Sequence, residues 1–441
     1  MNLVAIMKKN LPQSWRSKLN VIRETRALNQ LSRNLRNYTP FELRASQGQP
    51  RSNAIVVVPT DPFSLVGARG DDAMISTAAF MARRQIEDRE IFIVTASPEA
   101  DHIANSEGYV PLNIWRSPAY VSDLSEALER VRPSAMVVVG GDVIDGHYGP
   151  LISAKLLASA EVAARNQIPT TLLGFSFNKS PAPELRRFLD ELHPGVQLNL
   201  RDAISLQRFK SFTSAKGELV ADSAFLLPPD PSQIIVKEIT NWVNEQRHHG
   251  RKVIGFNLHP FLFRGANAST LSSIFENISS SLLNIASRRH VSFLLFPHDD
   301  RGEHGDDISL KPIYNRIHDQ LGDRAYYLSG RFNAATLKAV ASRLDGVVAG
   351  RMHLAIAALG SNVPVLSITY QDKFEGLYEH FRLPQWPLLD PGMLVEGESF
   401  VAQVTRFIDE LETLQKIIVG ESPNVRRLSG LNYRIFAEQQ D

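Results

Sequence analysis

Short runs of β-branched and aliphatic residues, each followed by a helical stretch, recur along this chain and leave it few folds to adopt. Ala54-Ile55-Val56-Val57-Val58, closed by Pro59, is apolar at every position rather than at alternate ones. A strand of that kind is buried on both faces, as in a parallel sheet covered by helices on each side. The pattern continues with a helix over 71–84, a strand at 91–95, a helix at 124–131, a strand at 135–139, an Ala-rich helix at 148–166 and a strand at 170–175. Strands at 196–200 and 218–220 complete the first half. Leu227-Pro228-Pro229-Asp230-Pro231 is the strongest break in the chain. Beyond it the alternation resumes with helix 232–248, strand 252–258, helix 269–288, strand 291–297, helix 308–321, strand 325–328 and helix 333–342. Strands 345–349 and 364–368 then flank helix 354–359, and a long helix at 400–418 closes the pattern. The expected architecture is α/β, with two Rossmann-like doubly wound domains facing a cleft, over 53–229 and 230–441. A chain of 441 residues is too long for one ordinary core. Ligands of such folds bind at the carboxyl ends of the strands, in the cleft between the domains.

Charge excludes some partners. The chain is 43% hydrophobic and 22% charged with a formal net charge of +1, which argues against nucleic acid, since duplex binding needs a strong basic field. It contains no cysteine, so disulfides and thiolate metal sites are ruled out. No apolar run approaches a membrane span and no signal-peptide core opens the chain. A cytoplasmic protein is expected. Residues 1–52 form a basic extension, in which 1–36 carry eight Lys and Arg against the single acid Glu24, interspersed with Leu, Val, Ile and Trp. Such a segment could make peripheral contact with an anionic membrane at its inner face, or pack as a helix on the body.

The densest chemistry lies at Val348-Ala349-Gly350-Arg351-Met352-His353, where a buried strand feeds a helix. Backbone N–H groups and the helix dipole favour an anion there, Arg351 adds a planar fork, and His353 adds a proton near neutral pH. A cation at a helix N-terminus opposes the dipole, so its presence asks for an anionic ligand. Lys373, after the next strand, falls at the same sheet edge. Earlier in the chain, Gly67-Ala68-Arg69-Gly70-Asp71-Asp72 and Gly140-Gly141-Asp142 follow strands. Gly67, Gly70, Gly140 and Gly141 would let backbone approach a substrate, Asp71 or Asp72 could cap a helix, and Asp142 could bind acceptor hydroxyls. The hexapeptide from Gly67 to Asp72 is neither a dinucleotide fingerprint nor a phosphate loop. Arg201, at a strand end, is a candidate second anion clamp, with Asp202 capping the following helix. His298, in Phe296-Pro297-His298-Asp299-Asp300, sits near His304, Asp306 and Asp307. A metal could be imagined there, but the spacing is loop-like rather than helical, and His298 reads as a substrate contact with no metal.

In this order the motifs resemble the polysaccharide pyruvyl transferase family. The resemblance runs from Asn53 to Leu383 on the glycine motifs above, Arg201-Asp202-x-x-Ser205, Ala221-Asp222-Ser223-Ala224-Phe225, Pro297-His298, Gly350-Arg351-Met352-His353 and Tyr370-Gln371-Asp372-Lys373. It implies a GT-B fold whose C-terminal helix returns to the first domain, with the acceptor on the N-terminal side and the donor on the C-terminal side. The reaction implied is transfer of a pyruvyl group from phosphoenolpyruvate, as donor substrate without a further cofactor, to a sugar of a cell-surface glycan or its precursor, which could be lipid-linked. Exopolysaccharide biosynthesis is the setting this implies. His353 would act as general acid or phosphate stabiliser, with Arg351, Lys373 and Arg201 holding phosphate and carboxylate. Two alternatives share the fold: a glycosyltransferase using a nucleotide sugar, and a non-catalytic glycan-binding relative. Arg69 and Asp142 stand where family members often carry other residues, both on the acceptor side.

Overall fold

The computed structural model describes residues 13–41, 51–263, 265–302, 305–369 and 374–437, with side chains from 21 onward except at 261. Two parallel sheets organise it. The first contains β1 (Ile55–Val58), β2 (Ile91–Thr95), β3 (Val110–Asn113), β4 (Ala135–Val138), β5 (Thr170–Phe175), β6 (Val196–Leu200) and β7 (Gly217–Leu219), in the order β3-β2-β1-β4-β5-β6-β7. The second contains β8 (Lys252–Phe256), β9 (Val291–Leu295), β10 (Ala325–Tyr327), β11 (Gly346–Ala349), β12 (Val365–Ile368) and β13 (Leu388–Leu389), in the order β10-β9-β8-β11-β12-β13. Every pairing is parallel, and each order reverses direction once, between β1 and β4 and between β8 and β11. At such a switch point the flanking loops leave on opposite faces and open a crevice at the carboxyl edge.

The fully apolar runs are the buried central strands. Every residue of β1, β4 and β11 is buried, as their composition requires. Several short or little-buried elements escaped the periodicity, among them Arg186–Asp190, Glu375–His380 and β13. The edge strand β3, Val110-Pro111-Leu112-Asn113, buries only Leu112, and the helix Pro98–Ser106 buries only Ala100 and Ala104, so neither carries a long apolar signature. The closing helix expected over 400–418 is two helices, Glu398–Asp409 and Leu411–Gly430, which break at Glu410. Pro423 lies inside the second.

The two sheets are tied by polar contacts at named points. Asp72 accepts the backbone N–H of Ala334 at 2.7 Å, where a helix of the second half begins, and so places a carboxylate against that helix dipole. Arg69 pairs with Asp300 at 2.7 Å across the cleft. Buried Lys338 donates to the carbonyls of Ala224 and Phe225, in the segment that joins the sheets. After Gly430 the chain lies against the first sheet: the Asn432 side chain accepts from Gly174 N at 2.7 Å and donates to the Ala221 carbonyl at 2.9 Å. Near the other end, helix Gln13–Arg36 packs along Pro150–Arg165 through Leu28 and Leu31. Within the described residues, the basic extension is therefore a docked helix rather than a loose arm.

Candidate active site

Both switch points face one cleft of about 310 Å³. From the first sheet it is lined by Thr60 and Asp61 after β1, by Gly70 and Asp71 in the opening turn of helix Arg69–Arg83, by Asp142 after β4 and by Arg201 after β6. His259 after β8, His298 and Asp299 after β9, and Arg351, Met352 and His353 after β11 form the opposing wall. The local reason is common to all. A parallel strand buried on both faces can present polar side chains only where it ends, and here the ends point into the crevice.

Arg201 is 3% exposed; its Nε donates to Ser176 Oγ at 2.7 Å and its Nη1 to Asp222 at 3.0 Å. Nη2 has no hydrogen-bond partner among the described residues, so this buried guanidinium keeps N–H donors for a ligand in the cleft. The same Asp222 oxygen lies 3.8 Å from His353 Nε2. Asp222 thereby couples the arginine to the histidine, and it also caps the short turn Ser223–Leu226 through Ala224 N. Sequence reasoning quoted Asp222 within a motif but gave it no part in the site; its partners lie on different strands.

His353 stands in the first turn of helix Met352–Leu359 and is held from the other domain by Gly70. A Cβ on Gly70 would lie 2.3 Å from His353 Nδ1, well inside any real contact. Gly70 has ordinary helical geometry, and alanine would favour the helix by up to about 1 kcal/mol. The missing methyl is thus what admits the imidazole. Gly70→Ala is expected to displace His353 and lower activity at least tenfold, with near-normal stability. Wild-type turnover in that variant would show that the imidazole need not sit there.

Arg351, expected as an anion clamp, lines the cleft and is also engaged by carboxylates of its own wall. Its Nε and Nη2 both contact Asp306, at 2.8 and 2.7 Å, and its Nη1 contacts Asp299 at 3.1 Å. Asp306 also accepts from Asn257 Nδ2 and His298 N. The guanidinium therefore neutralises two buried carboxylates and braces the loops after β8, β9 and β11. Arg301 and Arg69 are likewise committed, to Asp299 and Asp300 respectively. His298 is buried, and burial, then the nearby His353, Arg351 and Arg69, push its pKa well below the usual histidine value. It faces the cleft as a neutral imidazole.

The remaining expected residues divide. Gly70, Asp71 and Asp142 line the cleft, whereas Gly67, Gly140 and Gly141 are not among its lining residues. Gly140 is required by packing, since a Cβ there would meet the Leu173 carbonyl at 2.3 Å, and Gly141 takes a positive φ of 56°. Gly67 abuts the Arg301 side chain. Asp71 does not cap its helix, which begins at Arg69 after Ala68. Asp202 does cap Ala203–Phe212, through Ser205 N at 2.6 Å. Lys373 and His304 lie outside the described residues. Among the described residues no group of three or more His, Asp or Glu is arranged to hold a metal ion.

The sequence profile of the polysaccharide pyruvyl transferases matches residues 69–372. The chain belongs to that family. No curated protein is similar enough to match it. Among solved structures, UDP-GlcNAc 2-epimerase from Neisseria meningitidis, bound to UDP-GlcNAc, superposes with a TM-score of 0.55 at 16% identity, covering 87% of this chain and 100% of its own. The α,α-trehalose 6-phosphate synthase from Burkholderia multivorans gives 0.52 at 12% identity, covering 88% and 99%. Identities this low show the fold alone. This pyruvyl transferase family member has the two-domain GT-B architecture, with its cleft at the carboxyl edges of both sheets.

Proposed function

We propose that the protein transfers a pyruvyl group from phosphoenolpyruvate to two hydroxyls of a sugar in a cell-surface glycan or its precursor, forming a ketal. The observation that carries this reading is the Arg201–Asp222–His353 constellation, in which a buried arginine with spare donors stands beside a cleft-lining histidine. Phosphoenolpyruvate joins a carboxylate and a phosphate to a three-carbon enol. Charge-assisted bonds from Arg201, the N-terminal turn of helix Met352–Leu359 and Lys373 suit that anion. His353 protonates the enol methylene while one sugar hydroxyl bonds to the central carbon. Phosphate then leaves, and the second hydroxyl closes the ketal. Of the two hydroxyl protons released, one balances the proton gained by the methyl group and the other departs with phosphate.

Arg351 acts at one remove, by fixing the loops that carry His298 and His353. A lipid-linked acceptor would bring the protein to a membrane. Exposed Arg23, Arg26 and Arg33 on the N-terminal helix, beside exposed Val21 and Ile22, support contact with an anionic surface. No described helix is long and apolar enough to cross a membrane.

Incubation with phosphoenolpyruvate and lipid-linked or nucleotide-linked sugars tests the reading. The expected result is inorganic phosphate in step with an acceptor mass gain of one pyruvyl ketal. Nucleotide release from a nucleotide sugar, with phosphoenolpyruvate untouched, would replace this reading with glycosyl transfer.

A further inference from the structure

Five carboxylates border the space in front of His353, and four of them are already committed. Asp61 accepts from Phe63 N, Ser64 N and Ser64 Oγ. Asp299 is paired with Arg301 and Arg351, and Asp222 with Arg201 and Ala224 N. Asp142 is engaged by the Tyr148 hydroxyl at 3.1 Å. Asp71 differs. One of its oxygens accepts from Thr60 Oγ1, and the other has no partner among the described residues. It lines the cleft from the residue after Gly70, the glycine packed against the His353 ring. A carboxylate and an imidazole thus line the same cleft from opposite walls, which is what a reaction that moves protons at two positions needs.

Building on the phosphoenolpyruvate reading, we propose that Asp71 is the general base that takes the proton from the acceptor hydroxyl as that hydroxyl's oxygen bonds to the central carbon of the enol. The O–H bond breaks to the Asp71 carboxylate, the C–O bond forms, and the enol π electrons take the proton delivered by His353. Asp71 later returns its proton to the departing phosphate, and the second hydroxyl, in closing the ketal, gives its proton to His353, so both groups are restored and no further reactant is needed. Its environment suits the task. Burial raises the Asp71 pKa to about 7, the Thr60 hydrogen bond works against that rise, and Asp61 and Asp142 raise it while Arg301 lowers it. A carboxyl titrating near neutrality is a far better base than one at the usual value, yet is still substantially ionised at working pH.

The test compares wild type with Asp71→Asn, which keeps an acceptor for Thr60 and removes the basic oxygen. Single-turnover phosphate release with acceptor is followed against pH, and phosphoenolpyruvate affinity is measured without acceptor. Wild type should gain rate as pH rises through about 7. Asp71→Asn should lose about 10²–10⁴-fold in rate and lose that rising limb, with phosphoenolpyruvate affinity unchanged. Thr60→Val, which removes the donor that stabilises the anion, should move the limb to higher pH. A merely structural role for Asp71 would not shift the limb. An Asp71→Asn enzyme that keeps both the wild-type rate and the limb overturns the assignment alone. A wild type that releases no phosphate from phosphoenolpyruvate overturns the donor reading and this assignment with it.

Discussion

Arg351→Met is expected to lower folding stability by about 3–5 kcal/mol at neutral pH, the usual loss when one partner of a buried ion cluster is removed. Methionine fills much of the volume but leaves Asp306, which is fully inaccessible, and Asp299, which is 4% exposed, without their shared cation. Burial already raises the Asp306 pKa against the opposing pull of Arg351. An acid whose folded-state pKa is raised binds protons more tightly when folded, so its contribution to stability falls as pH rises above the unfolded carboxylate value. Without Arg351 that rise grows. The defect should therefore be larger at pH 8 than at pH 5 in urea unfolding. Arg351→Met combined with Asp306→Asn should recover part of the loss. A single variant as stable as wild type at pH 8 would show that the cluster contributes nothing net to the fold.

His353→Gln carries the largest expected effect on chemistry. Glutamine can still hydrogen-bond but cannot deliver a proton, so phosphate release should fall about 10²–10⁴-fold. Because Arg201 keeps its own partners, phosphoenolpyruvate affinity should change little, and the loss should appear in kcat rather than KM. Stability should stay within about 1 kcal/mol, since the imidazole lies at a cleft rather than in a core. A variant turning over at the wild-type rate would remove His353 from the mechanism. Gly70→Ala gives an independent check, because it disturbs the same imidazole without altering its chemistry.

Most of the architecture was legible because it is written locally. Runs such as 54–58 and 346–349 have no polar face to turn to water, so they had to be central strands. Elements with little burial, β3 and the helix Pro98–Ser106, left no such trace. The break at Glu410 was hidden because both flanking helices are amphipathic, and apolar spacing continues across it. The site was legible in part. Residue type and place at strand ends were enough to pick out Arg201, Asp71, His298 and His353 as cleft residues. The same reasoning also named Gly67, Gly140 and Gly141, which are not among the lining residues of the cleft and whose lack of a side chain suits packing or backbone conformation.

The sequence by itself determined two parallel α/β halves and which strand ends carry chemistry, because apolar period and turn residues act over neighbouring positions. Only the tertiary structure decided which charge neutralises which. Arg351 meets Asp299 and Asp306, Arg201 meets Asp222, and Gly70 meets His353, all pairs brought together by strand order and domain docking rather than by spacing along the chain. The physical reason is that a guanidinium binds whichever carboxylate the fold brings within reach. That is why Arg351 holds two carboxylates while Arg201 pairs with one.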